Sequence, residues 1–235
     1  MITVEKLNAG YRRLQVLFEV TASFQVGKIN VVVGPNGSGK STLLKSIFGL
    51  TSIYSGTVKF DGVELVGKSP HEIARLGIAY LPQLNKVFEN LTVEENLLMA
   101  GYTLEKNQLH EKIREVTQIF PIIEKYRRAK AGLLSGGERQ MIATAMALIR
   151  EPKVMMFDEP TSELAPKMAK SVLEKIVELR DTLKMTIILV EQNAKKALEI
   201  GDKAYLLVGG RVAFEGGCRE LLSHPQLSTL YLGLR

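Results

Sequence analysis

Gly34-Pro-Asn-Gly-Ser-Gly-Lys-Ser41 matches the pattern G-x-x-x-x-G-K-[ST] in full, directly after the apolar run Ile29-Asn-Val-Val-Val33. A strand that ends in such a loop and opens into a helix is the context in which this pattern carries a mechanism. Glycines let backbone N–H groups turn inward around phosphate oxygens with no Cβ in the way. The N-terminus of the following helix adds a favourable dipole at the same point. Within the loop formed by Gly34, Pro35, Asn36, Gly37, Ser38 and Gly39, the pattern places Lys40 on the β- and γ-phosphates of a nucleotide and Ser41 on Mg²⁺. Thr42, one position further into the first turn, is a candidate for the α-phosphate. The helix is expected over about 39–49, because Leu43, Leu44, Ile47 and Phe48 recur at helical spacing.

Outward from the loop, the first 65 residues read as strands at 2–5, 16–26, 29–33 and 56–60, β-branched runs broken by Gly or Lys-Asn turns. Residues 92–150 read as helical. Thr92-Val-Glu-Glu95 is a capping-box pattern, and 109–120 and 136–149 follow by period. Strands then alternate with helices: strands at 153–157, 186–190 and 203–208, helices at 166–183 and 194–200. Arg211-Val-Ala-Phe-Glu215, after Gly209-Gly210, reads as a hairpin partner strand, and 226–235 as a short terminal helix. Alternating segments of this kind argue for a largely parallel sheet covered on both faces. The expected class is α/β, with a helical insert between two stretches of the core.

Two further segments carry chemistry. Val154-Met-Met-Phe157 runs into Asp158-Glu159-Pro160. A carboxylate at the exit of a buried strand can face a nucleotide's Mg²⁺, and Asp158 takes that role. Glu159, next in line, is placed to orient or deprotonate an attacking water. Leu134-Ser-Gly-Gly-Glu-Arg-Gln140 precedes the apolar stretch 141–149. Ser135 is there an N-cap with Glu138 completing a capping box. Together with Gly136 and Gly137 it also makes a second helix N-terminus open to phosphate oxygens. Two such termini are redundant for one nucleotide, and make sense if the second serves the nucleotide of a partner.

Composition narrows the class. The chain has 235 residues, 46% hydrophobic and 24% charged, which is ordinary globular usage and excludes disorder and low complexity. Its longest nearly apolar run, 141–149, falls far short of the roughly 20 residues a spanning helix needs. No basic-then-apolar signal segment opens it. The single cysteine, Cys218, fits a reducing compartment and has no neighbouring base that would activate it. The net charge of +6, densest at Lys125, Arg127, Arg128 and Lys130, is read as a solvated surface, since net charge alone is weak evidence; no nucleic-acid partner is expected.

Taken in order, Tyr11, the phosphate loop, Gln83, Leu134–Gln140, Asp158-Glu159 and the segment around Gln192 resemble the ATP-binding-cassette (ABC) ATPases over nearly the whole chain. The resemblance implies one ABC ATPase domain over 1–235: a phosphate-loop NTPase core with a mixed, mainly parallel sheet and flanking helices, an antiparallel β subdomain, and a helical subdomain at about 84–150. It implies ATP and Mg²⁺, with Tyr11 stacking on adenine beside Val16 and Gln83 contacting Mg²⁺ and water while sensing a membrane partner. It implies head-to-tail pairing with a second ATPase subunit, the same or different, whose ATP would meet Ser135, Gly136, Gly137 and Glu138. Further segments resemble the ATPase subunits of branched-chain amino-acid importers: His71–Tyr80, Val87–Asn96, Leu164-Ala-Pro166 and Val190-Glu-Gln-Asn193. Gln192 stands where most cassettes have histidine; an amide there can hold a γ-phosphate but cannot titrate. That branch implies transmembrane permease subunits, an indirect solute-binding protein and a peripheral place on the cytoplasmic face of the membrane. Leu98 and Met99, with Val87 and Phe88, are candidates for the groove that receives a transporter helix. The same resemblance leaves open a lipid or lipopolysaccharide exporter and, less so, a soluble cassette acting on nucleic acid. Glu163, where relatives mostly have Gly or Ala, and Leu84-Asn85-Lys86, where they more often have Gly-Arg-Arg, depart from the importer pattern.

Overall fold

A computed structural model describes residues 1–84 and 86–224. The elements in chain order are β1 (Ile2–Tyr11), β2 (Leu14–Phe24), β3 (Ile29–Val33), α1 (Lys40–Ile47), β4 (Ser52–Phe60), β5 (Val63–Glu64), α2 (Pro70–Arg75), β6 (Ile78–Leu81) and α3 (Val93–Ala100). They continue with α4 (Lys106–Ile119), α5 (Ile122–Tyr126), α6 (Gly136–Leu148), β7 (Val154–Asp158), α7 (Pro166–Leu183), β8 (Thr186–Val190), α8 (Ala194–Ile200), β9 (Lys203–Val208), β10 (Arg211–Gly217) and α9 (Cys218–Ser223). One sheet is antiparallel, in the order β2-β1-β4-β5. The other runs β10-β9-β3-β8-β7-β6, parallel throughout except for β10, which pairs antiparallel with β9.

The parallel strands are apolar without a break because both of their faces are covered. Residues alternate between two cores. Val31, Val33, Met155, Phe157, Ile187 and Leu189 join one core with residues of α6, α7 and α8. Val32, Val154, Met156, Ile188 and Val190 join the other, shared with α1 and the antiparallel sheet. Leu43, Leu44 and Ile47 place α1 inside that second core. The helix carrying the phosphate loop at its start is therefore clamped between two sheets.

The expected order of elements holds, with corrections at the edges. β1 runs on past residue 5 and β4 starts before residue 56, because both strands bulge at the same level. Lys6 sits at φ +46° and Gly56 at φ +90°, where the β1–β4 register shifts between Glu5 and Asn8. β6 and α2 carried no distinct periodic signal: β6 is four residues long and only its ends are buried. β7 takes in Asp158, so that carboxylate stands on the last rung of the sheet rather than in the loop. The Thr92 and Ser135 caps form as expected, each accepting from the N–H three residues on. The terminal helix expected at 226–235 lies outside the described residues. No helix among the described residues is long and apolar enough to cross a membrane.

Phe157 is fully buried on β7, between β6 and β8 of the parallel sheet. Phe157→Ala is expected to lower the unfolding free energy by about 3–5 kcal/mol in urea titrations, through lost transfer energy plus the cavity left behind.

Candidate functional site

The site forms where β3, β8 and β7 end side by side, at the carboxyl edge of the parallel sheet, the usual place for a ligand in such folds. β8 lies between β3 and β7, so the residues that follow those two strands start about 9–10 Å apart, two strand spacings. The phosphate loop bridges that gap. Gly34 turns it at φ +151°, where a Cβ would lie 2.0 Å from the Leu207 carbonyl oxygen; only glycine fits. Pro35, Asn36 and Gly37 are exposed, whereas Ser38, Gly39 and Lys40 are buried beneath them. Ser38 Oγ is buried with no hydrogen-bond partner among the described residues.

Lys40, 4% exposed, donates to the carbonyls of Gly34 and Pro35, each at 3.0 Å. Burial pushes its amine below the ordinary value, while Glu159 and Asp158 pull it back up. Its charge thus sits in the mouth of the loop, close to both carboxylates. Ser41 Oγ donates to Asp158 Oδ1 at 2.7 Å, and Tyr80 Oη donates to Asp158 Oδ2 at 2.9 Å. The two hydroxyls fix the plane of the carboxylate. Thr42 is buried in the first turn of α1. Val16 adjoins the loop, its Cγ1 lying 3.4 Å from where a Gly39 Cβ would be. Tyr11 is 40% exposed at the end of β1. The turn that follows it is pinned by Tyr54, whose hydroxyl points at the carbonyls of Arg12 (3.0 Å) and Leu14 (3.2 Å).

Glu159 leaves the strand at φ +50°, with its N–H donating to the Val190 carbonyl at 2.9 Å. That bond aims the chain across the end of β8. Its carboxyl is pushed above the ordinary range by burial, opposed by Lys40 and reinforced by Asp158. Gln83 Nε2 donates to Glu159 Oε2 at 3.1 Å and to Ser162 Oγ at 3.3 Å. On the far side, Glu191 is 2% exposed and accepts from the Thr161 N–H at 2.9 Å, tying the loop after Glu159 to the loop that carries Gln192. The Gln192 side chain itself is exposed, one residue past Glu191, next to the Asn193 cap of α8.

The Ser135–Glu138 segment stands apart from this cluster, at the N-terminus of α6, with Ser135 exposed. Gly137 is buried and close-packed: a Cβ there would meet the end of Met168 on α7 at 2.6 Å. A larger residue there would have to displace the Met168 side chain. Glu163 holds a left-handed backbone, φ +62°, a conformation that glycine adopts most readily. Leu98, Met99 and Phe88 are exposed, while Val87 packs against the larger core. Cys218 is buried, and burial pushes its thiol up to about 12, an unreactive state.

The sequence reading singled out Lys40, Ser41, Gln83, Asp158 and Glu159, which the structure places in one cluster. It missed Tyr80, Glu191 and Tyr54, whose contacts span 78, 30 and about 40 residues of chain and leave no local signal.

A phosphate-cradling loop, a carboxylate at the end of the strand next but one and a second carboxylate beside it define a phosphate-loop ATPase. The chain belongs to the ABC transporter family, whose model matches residues 17–162. It is 53% identical to the probable branched-chain amino acid transport ATP-binding protein LivF of Archaeoglobus fulgidus, over 100% of this chain and 99% of that protein. It is 38% identical to the high-affinity branched-chain amino acid transport ATP-binding protein BraG of Pseudomonas aeruginosa, over 99% of this chain and 100% of that protein. Among solved structures, an ATP-binding cassette of an ABC transporter in its ADP conformation superposes with TM-score 0.86 at 27% identity, covering 97% of this chain and 96% of the other. The chain is an ATP-binding, ATP-hydrolysing cassette.

Two outcomes follow from this geometry. Tyr80→Phe keeps the ring but removes one donor from Asp158, and is expected to cost about 1.5–3 kcal/mol in urea unfolding, the range for a hydrogen bond to a charged group. Glu191 has its carboxyl raised by burial, against the opposing Thr161 bonds, so the native state keeps its proton at pH values where the unfolded chain has lost it. The contribution to stability is therefore present at low pH and is lost as pH rises through the raised value. Glu191→Gln is expected to flatten stability measured against pH above about 4.5, the ordinary value.

Proposed function

We propose that this chain is the ATPase subunit that energises a membrane importer of branched-chain amino acids. The observation that carries the reading is full-length likeness to LivF and BraG, together with a phosphate loop and a Ser135-Gly136-Gly137 helix start in one chain. The likeness to the lipopolysaccharide export protein LptB of Haemophilus influenzae, 30% over 99% of this chain, supports an exporter less strongly. In this reading residues 1–235 work as one cassette, with about 84–150 as its helical subdomain. It sits on the cytoplasmic face of the membrane, held by transmembrane permease subunits, and a solute-binding protein delivers the cargo to them.

The residues divide the work as follows. Tyr11 and Val16 flank the adenine. Backbone N–H groups from Asn36 to Thr42 take the phosphates, and the orphaned Ser38 hydroxyl fits the same cradle. Lys40 exchanges its two carbonyl contacts for β- and γ-phosphate oxygens. The Ser41 hydroxyl, the Asp158 carboxylate and the Gln83 carbonyl are the hard oxygen donors that suit Mg²⁺. When bound, that ion neutralises charge on the β- and γ-phosphates. Tyr80 keeps Asp158 oriented for this task. Glu159 aligns a water for attack and accepts its proton; its raised carboxyl suits a proton acceptor. Gln192 donates to the γ-phosphate. The Ser135, Gly136, Gly137 and Glu138 segment closes on the ATP held by a second ATPase subunit, identical or different, docked in reverse. Hydrolysis then releases a dimer that ATP had assembled, a two-state device able to move a permease.

Glu159→Gln is expected to trap an ATP-bound dimer in size-exclusion chromatography, and Ser135→Arg to spare ATP binding while abolishing turnover. Full turnover by Ser135→Arg would count against the shared site. Uptake of labelled leucine, restored to a bacterium lacking its own importer ATPase when the cognate permeases are supplied, tests the cargo; no uptake alongside an active ATPase would favour the exporter.

A further inference from the structure

The loop after β6 is tied down twice, and its second tie is not explained by nucleotide chemistry. At its start Gln83 holds Glu159 and Ser162. Three residues on, the Lys86 ammonium donates to Oε1 of Gln140 in α6. Gln140 is 1% exposed. Among the described residues Lys86 is the one hydrogen-bond partner of its side chain, and the amide nitrogen is buried with no acceptor. A half-buried cation set against a half-satisfied buried amide is a costly arrangement, and native structures keep such groups for a reason. Burial pushes the Lys86 amine below its ordinary value; Glu191, Glu163 and Asp158 pull it back up, while Arg139 opposes them. Lys86 lines a polar cavity of about 370 Å³ together with Gln83, Gly136, Arg139 and Glu163. Lys86 and Glu163 thus face one cavity.

The route from Glu159 to the partner-facing segment is short. It passes from Glu159 to the Gln83 side chain, across the shared cavity to Lys86, on to Gln140, and back one helical turn to Gly136 and Gly137. The apolar packing of α6 against its neighbours holds it in place through many weak, non-directional contacts. A charged hydrogen bond is directional and fixes an angle.

We infer that Lys86 is a positioning residue for ATP hydrolysis: its bond to Gln140 sets the orientation of α6, and with it Ser135–Gly137, relative to Glu159 of the same chain. The inference rests on the shared-site reading above, because only there must the signature helix and the hydrolytic carboxylate be aligned while serving different nucleotides.

The test uses the full-length protein and compares the parent with K86R, K86M, Q140L and the K86M/Q140L double variant. ATP turnover, affinity for a fluorescent ATP analogue and thermal unfolding are measured for each. K86M and Q140L are expected to lower kcat about tenfold while affinity stays within about twofold, a loss confined to the hydrolytic step. K86R keeps the donor and most of the turnover. The double variant is expected to lose no more than either single, since both break one bond. Parental turnover in K86M, losses that multiply in the double variant, or affinity falling in step with turnover would each overturn the assignment. If K86M does not fold, Q140E serves instead, since it keeps an acceptor for Lys86: retained turnover supports the tie, and a loss equal to that of Q140L refutes it. Parental turnover indifferent to protein dilution would sink the shared site itself. A dilution-dependent parent with an unaffected K86M removes only the role of Lys86.

Discussion

One hydrogen bond, from the Ser41 hydroxyl to Asp158 Oδ1, joins positions 117 residues apart and sets the terms for the rest of the molecule. It requires the loop after β3 to reach across the end of β8 and meet the last residue of β7. That happens only if all three strands run parallel, end at one edge and stay in register. The Asp158–Val190 pair and the Val32–Val190 pair are the rungs that secure this. Parallel strands need cover on both faces, and α1 on one side and α6, α7 and α8 on the other supply it. The architecture is what it takes to bring a hydroxyl and a carboxylate within 2.7 Å of each other in a polar cleft on an apolar scaffold.

Around that contact the polar loops are held by one another rather than by the core. Gln83 holds Glu159 and Ser162, Glu191 holds the Thr161 N–H, Tyr80 holds Asp158, and Lys86 holds Gln140. Glu159 and Glu163 both adopt left-handed backbone, a conformation that costs energy for residues with a Cβ and persists where neighbours impose it. Carboxyls that burial pushes above their ordinary range, half-buried Glu159 and buried Glu191, belong to the same pattern. Such a network is directional and can take up discrete arrangements, which suits a cassette that alternates between nucleotide states.

Much of this was legible in the chain. The phosphate loop, the Asp158-Glu159 pair and the Ser135 cap are contiguous motifs, so their chemistry is written in neighbouring letters. The alternation of apolar strands with amphipathic helices from 153 to 208 declared a parallel sheet. Other features were not legible. β6 is too short and too lightly buried to show a period, yet it carries Tyr80. The extent of β1 and β4 depended on matched bulges at Lys6 and Gly56, which exist only once the strands are paired.

The sequence by itself determined that this protein grips a nucleotide's phosphates, because a strand, a glycine-rich turn and a helix start act within a dozen residues and need no distant partner. Only the tertiary structure decided which side chains steady the grip. Tyr80, Glu191 and Lys86 act on residues 78, 30 and 54 positions away, and contacts of that separation arise from chain packing rather than local preference.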